Sequence, residues 1–312
     1  MKNAALITGV NGFVGQVLSR YLRERGWNVL GAVQPPAAKT ASSFPCDLTN
    51  RAEVEELAQW AKDVTHVFHL AAVTYIPQSQ SDPALAMNVN LNGTIHLLHA
   101  VRACAPDARF LYVSSAAVYG VPKSLPITEE HPLNPNEPYG ISKAAADAFC
   151  DYLHRNSGMD VIRVRPFNHS GPGQADHFVL SSLARQIALI ERGAQEPVLH
   201  VGNLDVARDF LHVDDVVRAY ESLMEKGEAG QVYNVCSGVS HSLRSILDTL
   251  REHAAVPIRL ETDPERVRRV DIPNVCGSRA RITRHTEWEP RIPFAQLLED
   301  LLNYWRTREA GV

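Results

Sequence analysis

Through the first half of the chain, short unbroken apolar runs alternate with stretches whose apolar positions recur every three or four residues. Residues 4–8, 29–33, 66–70, 110–114 and 161–165 are such runs and predict buried strands. The stretches at 13–25, 51–61, 84–103 and 142–155 carry the helical spacing. Strands separated by helices of this length imply right-handed crossovers and a parallel sheet. A later run, 232–236, predicts one more strand of that sheet. After Arg165 the pattern loosens into a Pro- and Gly-rich loop at 166–173, and from His241 onward into short helices with irregular joins. Gly26 is expected to end the first helix in a left-handed conformation.

The expected fold is therefore α/β: a Rossmann-type, doubly wound parallel sheet with a smaller mixed α/β C-terminal lobe. Residues 1–166, with 207–236 returning to them, form the expected dinucleotide-binding domain, and 167–206 with 237–312 form the lobe. Composition narrows the function classes. The 312 residues carry a formal net charge of −4, with no basic block, which offers nothing to nucleic acid. No stretch is long and apolar enough to span a bilayer, and the opening MKNAALITGVNGF runs straight into a strand–turn pattern without an apolar signal core. Five cysteines stand singly, without a CxxC, which suits a reducing compartment. A cytoplasmic protein without membrane attachment is expected. His66 with His69 and His96 with His99 sit three apart, but no third ligand follows at metal-binding spacing, so these are expected to be solvated or core histidines.

Candidate chemistry begins at ITGVNGFVGQVL, where Gly9, Gly12 and Gly15 follow the first strand and open the first helix. Glycines let main-chain amides approach a pyrophosphate, and the helix N-terminus adds partial positive charge. An acid at the end of the second strand would grip the adenosine ribose of NAD, and an arginine there would take the 2′-phosphate of NADP. Here that place holds Gln34, so the cofactor is NADP(H) or NAD(H), with the phosphate state open. Lys39 reads as a solvated loop lysine. Asp47, in CDLTN, is expected beside the adenine, with helix capping as its alternative role. Asp214 and Asp215 read as caps of the helix that follows them.

Further on, EPYGISKAAADAF sets Tyr139 and Lys143 four apart, on one face of a helix. A phenol has a pKa near ~10, and a neighbouring ammonium would lower it and make Tyr139 a usable proton donor.

These motifs together resemble the extended short-chain dehydrogenase/reductase family: GxxGxxG, HLAA (69–72), NLNGT (90–94), SSAAVYG (114–120) and the YxxxK pair, in that order. RPFNHSGPGQ (165–174), RDFLHVDDVVRAY (208–220) and YNVCSG (233–238) extend the likeness over nearly the whole chain. RPFNHSGPGQ, with His169 after Asn168, is similar to the branch acting on GDP-mannose and its 4-keto-6-deoxy derivative. The terminal GSRARITRHTEWEPRI and LLEDLLNYWR also look like that branch's second lobe.

The resemblance implies Ser115, Tyr139 and Lys143 as catalytic residues and no metal. It implies a dinucleotide held by Gly9, Asn11, Gly12, Phe13 and Val14 at the turn. Gln34, Asp47 and Leu48 fall at its adenosine end. Leu70, Ala71, Ala72, Asn90, Tyr139 and Lys143 complete the set. A GDP-sugar substrate would meet Thr74, Ser115, Asn168, His169, Arg208, Arg266 and Arg279. For Arg208 the alternative is an ion pair with Asp209 or Asp205. Cys104 and Cys150 fall to packing, and a homodimer built on the helices beginning near Ala84 and Tyr139 is implied.

The branch's dehydratases carry a Glu two residues after the catalytic Ser or Thr, and dTDP-sugar dehydratases an Asp just before that Glu. Those places are Ala117 and Ala116 here, and a methyl group cannot move a proton. The expectation is reduction of a 4-keto sugar nucleotide. GDP-mannose 4,6-dehydration and then 4-epimerisation are the enzymatic alternatives, and a non-catalytic NAD(P)-sensing protein is the alternative of a different class.

Overall fold

The computed structural model describes residues 3–264 and 272–309. Its first part runs β1 (Ala4–Thr8), α1 (Phe13–Glu24), β2 (Asn28–Val33), β3 (Ser43–Pro45), α2 (Arg51–Trp60) and β4 (His66–His69). Next come α3 (Ile76–Ser81), α4 (Pro83–Met87), a π-helical turn (Asn88–Asn92), α5 (Gly93–Cys104) and β5 (Arg109–Val113). A 3₁₀ turn (Ala116–Tyr119) and a long loop lead to α6 (Pro138–Ser157) and β6 (Val161–Pro166).

The second part holds β7 (Asn168–Ser170), α7 (Val179–Glu191), β8 (Val198–Val201), β9 (Ala207–His212), α8 (Val213–Lys226) and β10 (Val232–Val235). It ends with β11 (Ser240–Ser242), α9 (Leu243–Glu252), β12 (Arg259–Thr262), β13 (Asn274–Val275), α10 (Ala280–Thr286) and α11 (Phe294–Glu309).

Among the described residues, seven parallel strands form one sheet in the order β10-β6-β5-β4-β1-β2-β3. β1 lies between β2 and β4, so the chain reverses direction across the sheet there and opens a crevice at the strands' C-terminal ends. One face packs Leu57, Leu97, Phe110 and Val101 under α2, α5 and α6, and the other packs Leu18, Leu22, Phe68 and Tyr220 under α1 and α8. A separate core of Leu183, Ile187, Leu247 and Leu301 joins α7, α9 and α11 over β8.

The six expected strands and the left-handed Gly26, at φ 81°, are present. Three details differ. β3, three residues on the sheet edge, is too short to show a period. The helix expected over 84–103 is interrupted by the π turn, where the Thr94 hydroxyl donates to the Asn90 carbonyl at 2.6 Å. α6 starts before residue 142 because Pro138 suits a first helical position and Glu137 caps it, accepting from Tyr139 N and Gly140 N. The caps also fall elsewhere: Asn50 caps α2, and the His212 ring caps α8 by accepting from Asp214 N at 3.1 Å. Asp215 is instead buried, bonded to Arg218 and to the amides of Arg291 and Ile292.

Candidate active site

The crevice begins at the turn between β1 and α1. Gly9 sits at φ +72°, and a Cβ there would stand 2.9 Å from Ala71 N; a Cβ on Gly15 would stand 2.1 Å from Gly9 O. Only hydrogen fits at either place, so the chain folds back tightly onto HLAA. Gly12 is the N-cap of α1, no side chain caps that helix, and its first turn holds no acid. Main-chain amides and an uncompensated helix dipole make a cradle suited to a pyrophosphate. Asn11, Phe13 and Val14 flank it, with Asn11 O accepting from Gln16 Nε2.

At the adenosine end Gln34 is exposed beyond β2, before Pro35 and Pro36. Lys39 lies 4.3 Å over the Phe44 ring, a cation–π contact at the sheet edge. Asp47 Oδ1 accepts from Thr49 N at 2.9 Å, a local turn beside the buried Leu48.

Beyond β4, half-buried Leu70, Ala71 and Ala72 line the descent, and Thr74 is exposed. Asn90, fully buried on the π turn, accepts from Val73 N at 2.8 Å and donates to Val73 O and to Ser142 Oγ. It thereby ties the loop after β4 to α6.

Ser115 ends β5. Its Oγ accepts from Ala117 N at 3.1 Å, and the serine lies on the side of Tyr139 where it pulls the phenol's pKa down. Lys143, one helical turn on and 2% exposed, donates to Val113 O at 2.7 Å and lies 5.1 Å over the Tyr112 ring. α6 is held at this angle by a buried bidentate pair, Arg165 to Asp147 at 2.9 and 3.1 Å.

The electrostatics depart from the expected ammonium-lowered phenol. Burial pushes Tyr139 up to about 12, with Ser115 pulling it down and Glu137 pushing it up. Burial holds the Lys143 amine down at about 7, against the upward pull of Cys150 and Asp147. The phenol is thus protonated at neutral pH, the form that has a proton to give. A phenolate formed by donation would in turn favour the protonated amine nearby.

Across the crevice, exposed Asn168 starts β7 and His169 follows. The His169 ring donates from Nδ1 to Phe167 O at 2.9 Å and lies parallel to Phe13, centroids 6.4 Å apart. Tyr75 meets His177 edge-on at 4.5 Å, a contact between the loop after β4 and the loop before α7 that the motifs did not suggest.

Arg208 donates to Ala207 O and Ile272 O at 2.8 and 2.6 Å, and Arg279 to Ser237 O. Asp205 pairs with Arg244, and buried Asp209 accepts from Ser237, Gly238 and Gly277. Arg266 lies outside the described residues.

The other spaced histidines and the two helix cysteines have ordinary hydrogen-bond and packing partners. His66 bonds Thr65, His96 donates to Leu48 O, and His99 packs on Phe149. Cys104 and Cys150 pack in the core under α5 and α6.

A sequence profile described as GDP-mannose 4,6 dehydratase matches residues 6–301, which takes in both the crevice and the lobe facing it.

The chain belongs to that family.

Within the GDP-mannose 4,6-dehydratase family, its similarity to individual members is uneven. It is 41% identical over 310 residues to a GDP-6-deoxy-D-mannose reductase of Pseudomonas aeruginosa, covering 99% of each chain. It is also similar to the solved structure of RMD from Pseudomonas aeruginosa complexed with NADPH, at TM-score 0.88 and 40% identity over 98% of this chain and 100% of that one. A UDP-glucose 4-epimerase of Thermus thermophilus in complex with NAD matches at TM-score 0.85 with 27% identity, over 97% and 99% of the two chains.

Proposed function

We propose that this protein reduces the 4-keto group of a GDP-4-keto-6-deoxymannose-type sugar nucleotide with NAD(P)H, giving a GDP-6-deoxyhexose such as GDP-D-rhamnose. The observation that carries this reading is the pair Ala116–Ala117 in the turn beside Tyr139. The family's elimination chemistry needs a carboxylate there, and the nearby Glu137 is engaged by two amides at the start of α6. Ketone reduction needs no such base. A bound NAD(P)H supplies the hydride to the sugar's C4. Ser115 donates a hydrogen bond to the keto oxygen and Tyr139 delivers its proton to that oxygen. The resulting phenolate is neutralised from solvent, with Lys143 stabilising it meanwhile.

In this reading residues 1–166 and 207–236 carry the dinucleotide, and 167–206 with 237–312 carry the sugar nucleotide. Asn168, His169, Arg208 and Arg279 face the diphosphate and sugar, as a twice-negative ligand requires of its site. The identity to the Pseudomonas aeruginosa reductase, over both lobes, supports the substrate class. Exposed Leu85, Ile141 and Tyr152, on α4 and α6, suit a homodimer. Among the described residues no helix is long and apolar enough to cross a membrane, and a cytoplasmic setting fits the reaction.

The test gives purified protein GDP-4-keto-6-deoxymannose with NADPH or NADH, and separately GDP-mannose with NADP⁺. Consumption of reduced cofactor with the keto sugar is expected. A keto product formed from GDP-mannose would overturn the assignment in favour of dehydration.

A further inference from the structure

Five buried polar residues between the phosphate turn and α6 are joined by hydrogen bonds in a single determinable order, one link running through the Asn90 main-chain carbonyl. The Thr94 hydroxyl donates to Asn90 O at 2.6 Å, so toward His69 Nε2, 2.8 Å away, its oxygen accepts. His69 therefore carries its proton on Nε2. Burial, aided by Lys143, holds its pKa down at about 3, so the ring is neutral and Nδ1 is bare. The Thr8 hydroxyl, 2.7 Å away, donates to Nδ1, and Thr8 Oγ1 accepts the Ala71 amide at 3.3 Å. Beyond Asn90 the order continues: its Nδ2 donates to Ser142 Oγ at 2.9 Å, and Ser142 donates to the Tyr139 carbonyl at 2.8 Å. Thr8, His69, Asn90, Thr94 and Ser142 are each 0 or 1% exposed.

One end of this chain fixes Ala71, against which Gly9 folds. The other fixes the main chain that carries the catalytic phenol, by way of the π turn, a local widening of the helix that recurs at functional sites. We propose that His69 is a positioning residue that couples the dinucleotide turn to Tyr139: its Nδ1 arm sets the cofactor cradle and its Nε2 arm sets the phenol. This rests on the reductase reading for its kinetic readout, though not for its binding readout.

The two arms can be cut separately. His69→Asn keeps an acceptor near the Nδ1 position and removes the donor to Thr94. His69→Gln keeps a donor near Nε2 and removes the acceptor for Thr8. In steady-state reduction of GDP-4-keto-6-deoxymannose, the Asn variant should hold its KM for NADPH and lose about ten- to a hundredfold in kcat, the scale of a misplaced catalytic group. The Gln variant should hold kcat and raise the KM for NADPH by about tenfold, the scale of one lost hydrogen bond. Thr94→Val should repeat the Asn behaviour, with Thr94→Ser restoring it, which keeps the test open if a His69 variant fails to fold.

Fluorescence titration with NADPH reads the cofactor arm without any substrate: weakened binding in the Gln variant alone is the expected result. If all variants lose kcat and NADPH affinity in the same proportion, or none changes either, the coupling is refuted. A wild-type protein inert toward the keto sugar refutes the reductase reading while the titration still decides the cofactor arm.

Discussion

The two walls of the crevice are built on different principles. On the sheet wall the polar groups are neutral, buried and mutually paired, from Thr8 through His69 and Asn90 to Ser142. On the lobe wall they are guanidinium groups near the surface, held by main-chain carbonyls: Arg208 by Ala207 and Ile272, Arg279 by Ser237. A buried neutral network tolerates no missing partner, so it sets positions tightly. A guanidinium is always charged, and its planar fork can hold an anion without sub-ångström tolerance. The sheet wall therefore suits proton and hydride chemistry, and the lobe wall suits retention of a diphosphate. Substitutions on the first should act on kcat or on cofactor binding, and those on the second on the KM for the sugar nucleotide.

The largest expected effect is on the sheet wall. Tyr139→Phe removes the proposed proton donor and should lower turnover of the keto sugar by about a thousandfold, while NADPH affinity by fluorescence titration stays close to wild type. Retained turnover would remove the phenol from the mechanism. Gly15→Ala comes next. Its Cβ would stand 2.1 Å from Gly9 O and 2.8 Å from Val10 Cα, both main-chain atoms that cannot swing aside. NADPH binding should weaken about a hundredfold, a loss of about 2.7 kcal/mol, readable by the same titration. On the lobe wall, Arg208→Ala should raise the KM for the sugar nucleotide about ten- to fiftyfold with kcat nearly unchanged. The reverse split, kcat lost and KM held, would erase the distinction between the walls.

Much of the sheet wall was legible in the sequence. The glycine turn, HLAA and YxxxK are local motifs whose geometry follows from a strand ending and a helix beginning, and both conditions show as hydrophobic periodicity. The order within the wall was not legible. His69 stands in HLAA as an expected solvated or core histidine, and nothing at its own position shows that Thr8 and Thr94, sixty-one and twenty-five residues away, converge on its two nitrogens. The pKa directions escaped for a related reason. A tyrosine and a lysine four apart suggest mutual attraction, but burial of each, which depends on the whole fold, outweighs it. The lobe wall was legible only as arginines. Their carbonyl anchors are contributed by segments far apart in sequence, such as Ile272 for Arg208.

The smallest effect concerns stability, and it tests whether the sheet wall is neutral as described. The His69 pKa is lowered from 6.5 to about 3 by burial, so between those values the unfolded chain binds a proton that the folded one refuses. Stability from this group is fully present above pH 6.5 and is lost as pH falls toward 3. Many carboxylates titrate in the lower part of that range, so wild-type melting alone does not isolate the histidine. The difference between wild type and His69→Gln does, because glutamine has no proton to take up. Wild type should be the more stable of the two at pH 7, and its advantage should shrink by about 2 kcal/mol on moving to pH 5, as measured by urea unfolding. A constant difference across that range would mean that the imidazole accepts a proton in the folded state. The Thr8 hydroxyl would then have no bare nitrogen to donate to, and the chain of bonds joining the cofactor turn to Tyr139 would be broken at its centre.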